Sequence, residues 1–337
     1  MITRRFGRTG FEVSALGLGG LQFTGMYGVP VHTADSIIDY AVNNGINFID
    51  TAQLYGCGES EALIGRALLR HPDKNIIVCD KVGHFKEGIL ALSKDPDSAS
   101  QKYDEIVRTI KHSLWILRQD AFDILMLHEA ERGWEIDPVT GDSVIMQVLE
   151  DVKKEGLAKN IGASSWDMKA LTNLIKTGRI DAVMVAGGIS LLERGIYEEL
   201  IPAALEYDTG VSVGAILGQN TPGLIVADRN LTAQLKDSKD EKVVALGEKL
   251  DKLYDLAEEL KLSMVQMAVR YVLSFEEIHT DSMGARELSH IKDNIQSIEM
   301  GPLPADVVSE INKIQDSALT YDYNTVSHAH ITKLLEK

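Results

Sequence analysis

The sequence has few of the features that mark secreted or membrane proteins. It contains only two cysteines, Cys57 and Cys79, which argues against a disulfide framework and fits a reducing compartment. It has no apolar run of about eighteen residues, so we expect no membrane-spanning helix. The first ten residues, MITRRFGRTG, lack the apolar stretch of a secretory signal. These absences predict a cytoplasmic protein.

Clustered positive charge is also absent. The chain has 34 Lys and Arg against 50 Asp and Glu, a net charge of −16. A surface that follows a phosphate backbone needs grouped basic side chains, so nucleic acid is not an expected partner. A local basic pocket for one small anion remains compatible with this composition. Two tail histidines, His328 and His330, do not form a metal-ligand pattern, and no metal is expected.

The order of apolar patterns predicts the fold. From residue 13 onward, eight short apolar runs are each followed by a pattern typical of a helix. Strands that alternate with helices pair in parallel through right-handed crossovers, and eight such units indicate a closed (β/α)8 TIM barrel. An open doubly wound sheet is the alternative. The glycines at 17–20 (GLGG) do not match the GxGxxG pattern of that fold, and the chain shows no division into halves.

Length and flanking segments complete the predicted domain organisation. An α/β barrel commonly reaches this size as one domain, so residues 1–337 are expected to form a single domain. Residues 1–12 contain two glycines between short extended runs, which predicts a hairpin that caps the bottom of the barrel. Residues 318–337 are expected to be a C-terminal tail.

Four polar residues fall where catalytic groups of such a barrel lie, at the C-terminal ends of strands. In NFIDTAQLYG, residues 47–56, the second strand ends at Asp50 and the following loop carries Tyr55. The third strand ends at Lys81 and the fourth at His128. Each residue alone has a structural explanation, such as a cap or a satisfied core histidine. Their convergence on three neighbouring strands predicts an active site, and we call these four residues the tetrad.

The four residues of the tetrad could act together on a carbonyl group. A free tyrosine loses its proton only near pH 10, and the ammonium of Lys81 is expected to lower the pKa of Tyr55 towards working pH. Asp50 would pair with Lys81, and His128 would orient a carbonyl oxygen by donating to it. None of the four residues can transfer two electrons, so a redox step requires a separate hydride carrier.

These residues, with GRTGFEVSALGLG before them and IGASS after them, resemble the aldo-keto reductase superfamily over roughly residues 3–300. The segments AGGISLLER and GARELSHIKDN are more similar to its bacterial, sugar-dehydrogenase-like branch than to its classic aldose-reductase branch. The resemblance implies an oxidoreductase that interconverts an alcohol and an aldehyde, ketone or sugar, with NADP(H) or NAD(H) as cofactor. Tyr55 would be its general acid or base, aided by Lys81 and Asp50, with His128 positioning the carbonyl.

The resemblance also implies which residues bind the cofactor. Ser165 stands where the family has an asparagine that holds the nicotinamide amide, and Met184 falls near the position of a glutamine. His290 stands at the position of an arginine that binds the 2′-phosphate, and Arg286 is expected to substitute for it. Dual cofactor use with a slight preference for NADP(H) is therefore expected. The implied contacts are Gly19, Gly20, Ser164, Ser165, Met184, Leu217, Gly218, Gly223, Gly284, Arg286, His290 and Asn294.

Two other functions are compatible with these residues. One is a barrel lyase or aldolase in which Lys81 forms a Schiff base, although the IGASS and GAR segments have no use in such an enzyme. The other is a nicotinamide-binding regulatory subunit without catalysis. Two tryptophans on the active face, Trp134 and Trp166, are expected either to pack or to line the substrate site. Substrate identity depends on the loops near 20–30, 85–100, 130–142 and 218–240.

Overall fold

The computed structural model describes residues 1–83, 102–218, 223–226 and 228–317. Its centre is a closed barrel of eight parallel strands, which confirms the predicted (β/α)8 fold. In the order of the chain, each barrel strand pairs with the next, and the last pairs with the first. The barrel strands are β3 (Leu16–Gly19), β4 (Phe48–Asp50), β5 (Ile77–Val82), β6 (Phe122–Leu127), β7 (Ala158–Ser165), β8 (Ala182–Ala186), β9 (Gly210–Gly214) and β10 (Thr280–Gly284).

The helices between the strands begin and end at recognisable sequence signals. For example, Asp167 caps α5 by accepting the backbone N–H of Lys169 at 2.8 Å. A capping box starts α9, in which Ser263 and Gln266 each accept the other's backbone N–H. The helices are α1 (Val31–Asn43), α2 (Glu59–Arg70), α3 (Tyr103–Leu117), α4 (Val144–Lys154), α5 (Met168–Lys176), α6 (Leu200–Glu206), α7 (Asn230–Lys236), α8 (Glu241–Leu260), α9 (Met264–Leu273), α10 (Leu288–Glu299) and α11 (Ala305–Asp316).

An N-terminal hairpin precedes the barrel, as predicted. Strands β1 (Thr3–Arg5) and β2 (Glu12–Ser14) pair antiparallel, so the hairpin extends two residues beyond its predicted end. Between them, Phe6 is fully buried, and its ring packs edge-on against Phe48 with centroids 5.5 Å apart. Phe48 is the first residue of β4, so the hairpin covers the N-terminal ends of the strands, which form the bottom of the barrel.

Side chains alternate along the strands and divide the barrel interior into two zones. The lower zone is apolar and holds inward-facing residues of several strands. On β4 and β5 the same inward face carries Asp50 and Lys81 at the opposite, C-terminal end. The apolar layer excludes water from beneath these charges, which strengthens their interactions. The lower zone comprises Phe6, Val13, Phe48, Ile77, Cys79, Ile124, Met126, Ala182 and Met184.

The chain divides into two compact units. The first holds the hairpin and all barrel strands, in residues Met1–Ala186, Ile196–Gly214 and Glu277–Ile295. The second comprises Gly187–Gly195, Ala215–Glu276 and Gln296–Lys337, with α7, α8, α9 and α11. That the two form one domain stays a prediction, and the predicted tail lies outside the described residues. No helix in the described part of the chain is long and apolar enough to cross a membrane.

Candidate active site

The structure brings the tetrad together at the C-terminal ends of β4, β5 and β6. The ammonium of Lys81 lies at its centre and donates to Asp50 Oδ1 at 2.5 Å and to the carbonyl of Thr51 at 2.8 Å. The hydroxyl of Tyr55 lies 3.4 Å from the same Nζ. Asp50 and Lys81 are 2% and 1% exposed, so this ion pair is shielded from solvent and from salt screening.

The loop that carries Tyr55 is fixed at both ends, at its start to β5 and at its end to α2. At its start, the N–H of Thr51 donates to the carbonyl of Cys79 on β5 at 2.8 Å. At its end, the N–H of Ser60 in α2 donates to the Tyr55 carbonyl at 3.2 Å. The ring of Tyr55 meets the imidazole of His128 edge-on, with centroids 5.8 Å apart. A phenol hydroxyl, an imidazole and an ammonium therefore converge on one small volume.

Burial dominates the protonation behaviour of the tetrad. It raises the pKa of Tyr55 to about 12, although the ammonium of Lys81 lowers it. The expectation that Lys81 would bring this pKa towards working pH is therefore wrong for the net shift, since burial outweighs the cation. Burial lowers the pKa of Lys81, but Asp50 and Tyr55 outweigh it and raise that pKa. At neutral pH the site holds a protonated phenol beside a fixed ammonium.

The two tryptophans differ in their surroundings. Trp134 is buried, and its indole N–H donates to the carbonyl of His128 at 3.1 Å. A Cβ on Gly83 would fall 2.2 Å from its ring, so this tryptophan packs closely against the end of β5. It thereby supports His128. Trp166 is 36% exposed after β7 and remains available for substrate.

The serines at the end of β7 are already engaged within the chain. Ser164 donates to the carbonyl of Leu127 at 3.2 Å. Ser165 donates to the carboxylate of Glu131, in the loop after His128. On the next strand, Met184 faces the barrel interior and packs in the apolar zone. At the position where the resemblance implies an amide side chain, this chain thus has a hydroxyl backed by a carboxylate.

The turn between β10 and α10 exposes a guanidinium. Arg286 is exposed and lies 4.4 Å from the ring centroid of Tyr27, in the loop after β3. Its backbone N–H donates to His290 Nδ1 at 3.3 Å. This bond uses a ring nitrogen of His290 at the start of the helix, which leaves Arg286 as the better anion ligand of the two. Asn294 is buried one turn further along α10.

Three predicted glycines lie where a side chain would collide with neighbours. A Cβ on Gly20 would fall 2.5 Å from Ser60 Oγ, and one on Gly284 would fall 2.8 Å from the side chain of Gln22. Gly19 pairs in register with Gly284 between β3 and β10. Close packing alone explains these glycines, so their proposed cofactor contacts depend on other observations.

The remaining predicted cofactor residues belong to the second compact unit. Leu217 accepts the N–H of Ile225 at 3.2 Å, which closes the ends of the segment between them. Gly218 and Gly223 have φ values of +136° and +84°, which L side chains rarely adopt. Residues 219–222, between these predicted cofactor contacts, lie outside the described residues, as does the whole of the predicted substrate loop 85–100.

Three features of the site were not predicted from the sequence. They are the ring of Tyr27 against Arg286, the carboxylate of Glu131 behind Ser165, and a buried acid pair on the outer face of β5. Glu131 had a weak signal, because it follows His128 by three residues in the polar run HEAER. The contacts of Tyr27 link loops that are distant in the sequence, and no local pattern indicates them.

Comparisons with known proteins agree with this geometry. Residues 15–316 match the model of the aldo/keto reductase family. The chain is 28% identical to probable aldo-keto reductase 1 of Glycine max, covering 96% of this chain and 92% of that protein. It is 29% identical to D-threo-aldose 1-dehydrogenase of a Pseudomonas species, over 61% of this chain and 67% of that enzyme.

A solved structure is similar over almost the whole chain. It is the holo form of aldo-keto reductase AKR11C1 from Bacillus halodurans, with a TM-score of 0.74 and 25% identity. The similarity covers 96% of this chain and 99% of that one. Fold, family model and relatives agree, and the chain belongs to the aldo/keto reductase family.

Proposed function

We propose that this protein is a NAD(P)(H)-dependent oxidoreductase that interconverts a small aldehyde, ketone or sugar and the corresponding alcohol, with Tyr55 as general acid and base. One observation carries the proposal. The Lys81 ammonium lies 2.5 Å from Asp50 and 3.4 Å from the hydroxyl of Tyr55, at the end of the barrel where catalysis occurs in this fold.

When bound, the nicotinamide cofactor supplies the two electrons of the reduction as a hydride. Residues of this chain transfer the proton and bind the carbonyl oxygen. Tyr55 remains protonated at neutral pH and donates to the carbonyl oxygen as negative charge develops there. Lys81 stabilises the resulting phenolate, and Asp50 holds Lys81 in place. His128 orients the carbonyl by donating a hydrogen bond to it. In the oxidative direction Tyr55 accepts the proton instead.

The residues present fit a dinucleotide. Ser165 and Glu131 offer a hydroxyl and a carboxylate for a nicotinamide carboxamide, whose N–H groups need acceptors. At the other end, Arg286 offers an exposed guanidinium at the start of α10, where the helix terminus also favours an anion. We propose a slight preference for NADP(H), since a guanidinium matches the 2′-phosphate with paired N–H donors.

A Schiff-base aldolase is the weaker candidate. A lysine must be neutral to attack a carbonyl, whereas Asp50 and Tyr55 raise the pKa of Lys81 above that of a free lysine despite its burial. Its ammonium also makes three polar contacts that attack would break. Borohydride reduction in the presence of substrate separates the two functions, because only an aldolase would give a covalent adduct on Lys81.

Fluorescence titration with NADPH and NADH, followed by a panel of aldehydes, ketones and aldoses, tests the proposal. We expect saturable cofactor binding and turnover that Tyr55→Phe abolishes or strongly reduces. Binding without turnover on the whole panel would favour a regulatory role instead.

A further inference from the structure

The outer face of β5 carries a second pair of buried acidic side chains, next to the catalytic lysine. Asp80 exposes none of its surface, and Glu61, in the first turn of α2, exposes 1%. Because side chains alternate along a strand, Asp80 points away from the interior into which Lys81 projects. Neither carboxyl touches the reacting atoms of the proposed reaction.

The surroundings of this pair offer one hydrogen-bond donor fewer than the two carboxyl groups require. Gln53 Nε2 donates to Ser113 Oγ at 2.7 Å, so the hydroxyl hydrogen of Ser113 is available for Glu61, to which it is hydrogen-bonded. The backbone N–H of Lys81 donates to Asp80 Oδ1 at 2.7 Å. The other oxygens, Glu61 Oε1 and Asp80 Oδ2, are buried with no donor among the described residues. The two carboxyls contact each other, and such a contact is a hydrogen bond only when one is protonated.

We propose that Glu61 and Asp80 share one proton, and that this hydrogen bond positions the Tyr55 loop against β5. Glu61 follows Ser60, whose N–H holds the Tyr55 carbonyl at 3.2 Å. Asp80 precedes Lys81 in the strand. The bond therefore joins the two segments whose separation sets the distance between the phenol and the ammonium. Both acids are positioning residues, and their effect on rate rests on the proposed function.

The surroundings favour a retained proton. Burial and the neighbouring Glu61 carboxyl raise the pKa of Asp80 well above its usual range, and burial raises the pKa of Glu61. The charge of Lys81 opposes the shift of Asp80, but Asp50 already neutralises that charge. Helix α3 presents the uncharged Ser113. The other titratable groups nearby are Lys81, Cys79, Asp50 and Asp123, on β4, β5 and β6.

Loss of the proton would place two adjacent carboxylates in a buried site, where like charges repel strongly. The first turn of α2 and the Tyr55 loop would then move away from β5. Deprotonation of Tyr55 should increase the rate of alcohol oxidation as pH rises. Loss of the proton shared by Glu61 and Asp80 should oppose this increase and reduce the rate at alkaline pH. The parent should reach an optimum and then fall by up to roughly tenfold per pH unit.

Folding measurements test the proton without reference to catalysis. A carboxyl whose pKa is raised in the folded state keeps a proton that the unfolded chain releases above about pH 4.3. Stability therefore falls as pH rises from there to the raised pKa. In Glu61→Gln, an amide N–H replaces the proton, so between about pH 4.3 and the raised pKa, folding of this variant should take up about one proton fewer than folding of the parent. Urea unfolding across pH measures this slope, and infrared spectroscopy should show one protonated carboxyl fewer.

Asp80→Asn places an amide N–H donor on the other member of the pair. It replaces Glu61→Gln in these measurements if Glu61→Gln does not fold. Glu105→Gln on α3 is the control, because Glu105 pairs with Lys102 near the surface at 3.1 Å and should keep the parent's slope. An unchanged slope in both amide variants would overturn the shared proton. A changed slope with an unchanged alkaline limb would overturn the positioning role. If the parent protein showed no enzymatic activity, only the proposed function would be contradicted. The pH dependence of stability and the infrared band would still test whether the two acids share a proton.

Discussion

Two places in the molecule hold a positive charge in opposite environments. One is at the ends of β4 and β5, and the other is in the turn after β10. At the first place, the ammonium of Lys81 is buried and neutralised by Asp50 at 2.5 Å. At the second, the guanidinium of Arg286 is exposed and stacks on Tyr27, with no carboxylate within salt-bridge distance among the described residues. A charge that is balanced inside the chain can tune a neighbour in the absence of ligand. A charge left without a counterion is available for an anion from solution.

This contrast predicts that substitutions at the two places have different effects. Substitutions in the tetrad should reduce turnover, or stability, while cofactor affinity is retained. Substitutions around Arg286 should reduce the affinity for one cofactor and leave the chemistry intact.

Tyr55→Phe should have the largest effect. It removes the proton donor and the oxyanion contact while it keeps the ring that packs against His128. We expect turnover to fall by about 10²-fold or more, with affinity for NADPH and NADH within a few-fold of the parent. Steady-state rates and fluorescence titrations on the same preparation measure both. Near-normal turnover with the best substrate would remove Tyr55 from its role.

Lys81→Met should affect both stability and the pH profile. Removing Lys81 leaves Asp50 buried without its partner, which typically costs about 3–5 kcal/mol. The pKa of Tyr55, already about 12 because of burial, should rise further without the cation, so residual alcohol oxidation should require higher pH. Urea unfolding and a pH–rate profile measure the two effects.

The double variant Asp50→Asn, Lys81→Met separates these effects of Lys81→Met. It should recover part of the stability, because no buried charge is left unpaired. It should not recover the pH profile, since the cation beside Tyr55 is still missing. A profile of the parent's shape in either variant would show that Lys81 does not tune the phenol.

Arg286→Ala should weaken NADPH binding by roughly ten- to hundredfold, the value of one charge-assisted contact of about 1.5–3 kcal/mol. NADH binding should hardly change, because NADH has no 2′-phosphate. His290→Ala is the matched control, since the ring of His290 is held by the backbone N–H of Arg286 and should contribute little to phosphate binding. Equal losses for both cofactors would exclude Arg286 from phosphate recognition and favour NAD(H).

Local signals in the sequence were sufficient for the barrel and for the placement of the tetrad side chains at one end of it. The strand ends at Asp50, Lys81 and His128 could be placed because parallel strands bring their C-terminal ends to one face. The net pKa of Tyr55 could not be predicted, because it depends on the depth of burial. The contacts of Glu61 with Asp80, and of Tyr27 with Arg286, join separate elements of the chain, and the hydrophobic pattern carries no information about them.

Tyr27→Leu should give the smallest and most selective effect. A cation over an aromatic ring at an exposed site contributes about 0.5–1 kcal/mol, so removing the ring should weaken NADPH binding roughly two- to fivefold by freeing the guanidinium. Tyr27→Phe keeps the ring and should bind NADPH like the parent. Tyr27→Leu combined with Arg286→Ala should bind NADPH no more weakly than Arg286→Ala alone, because the ring acts only through the guanidinium. A further loss in the double variant, or a loss for NADH, would show that Tyr27 contacts the cofactor or supports the loop independently of Arg286.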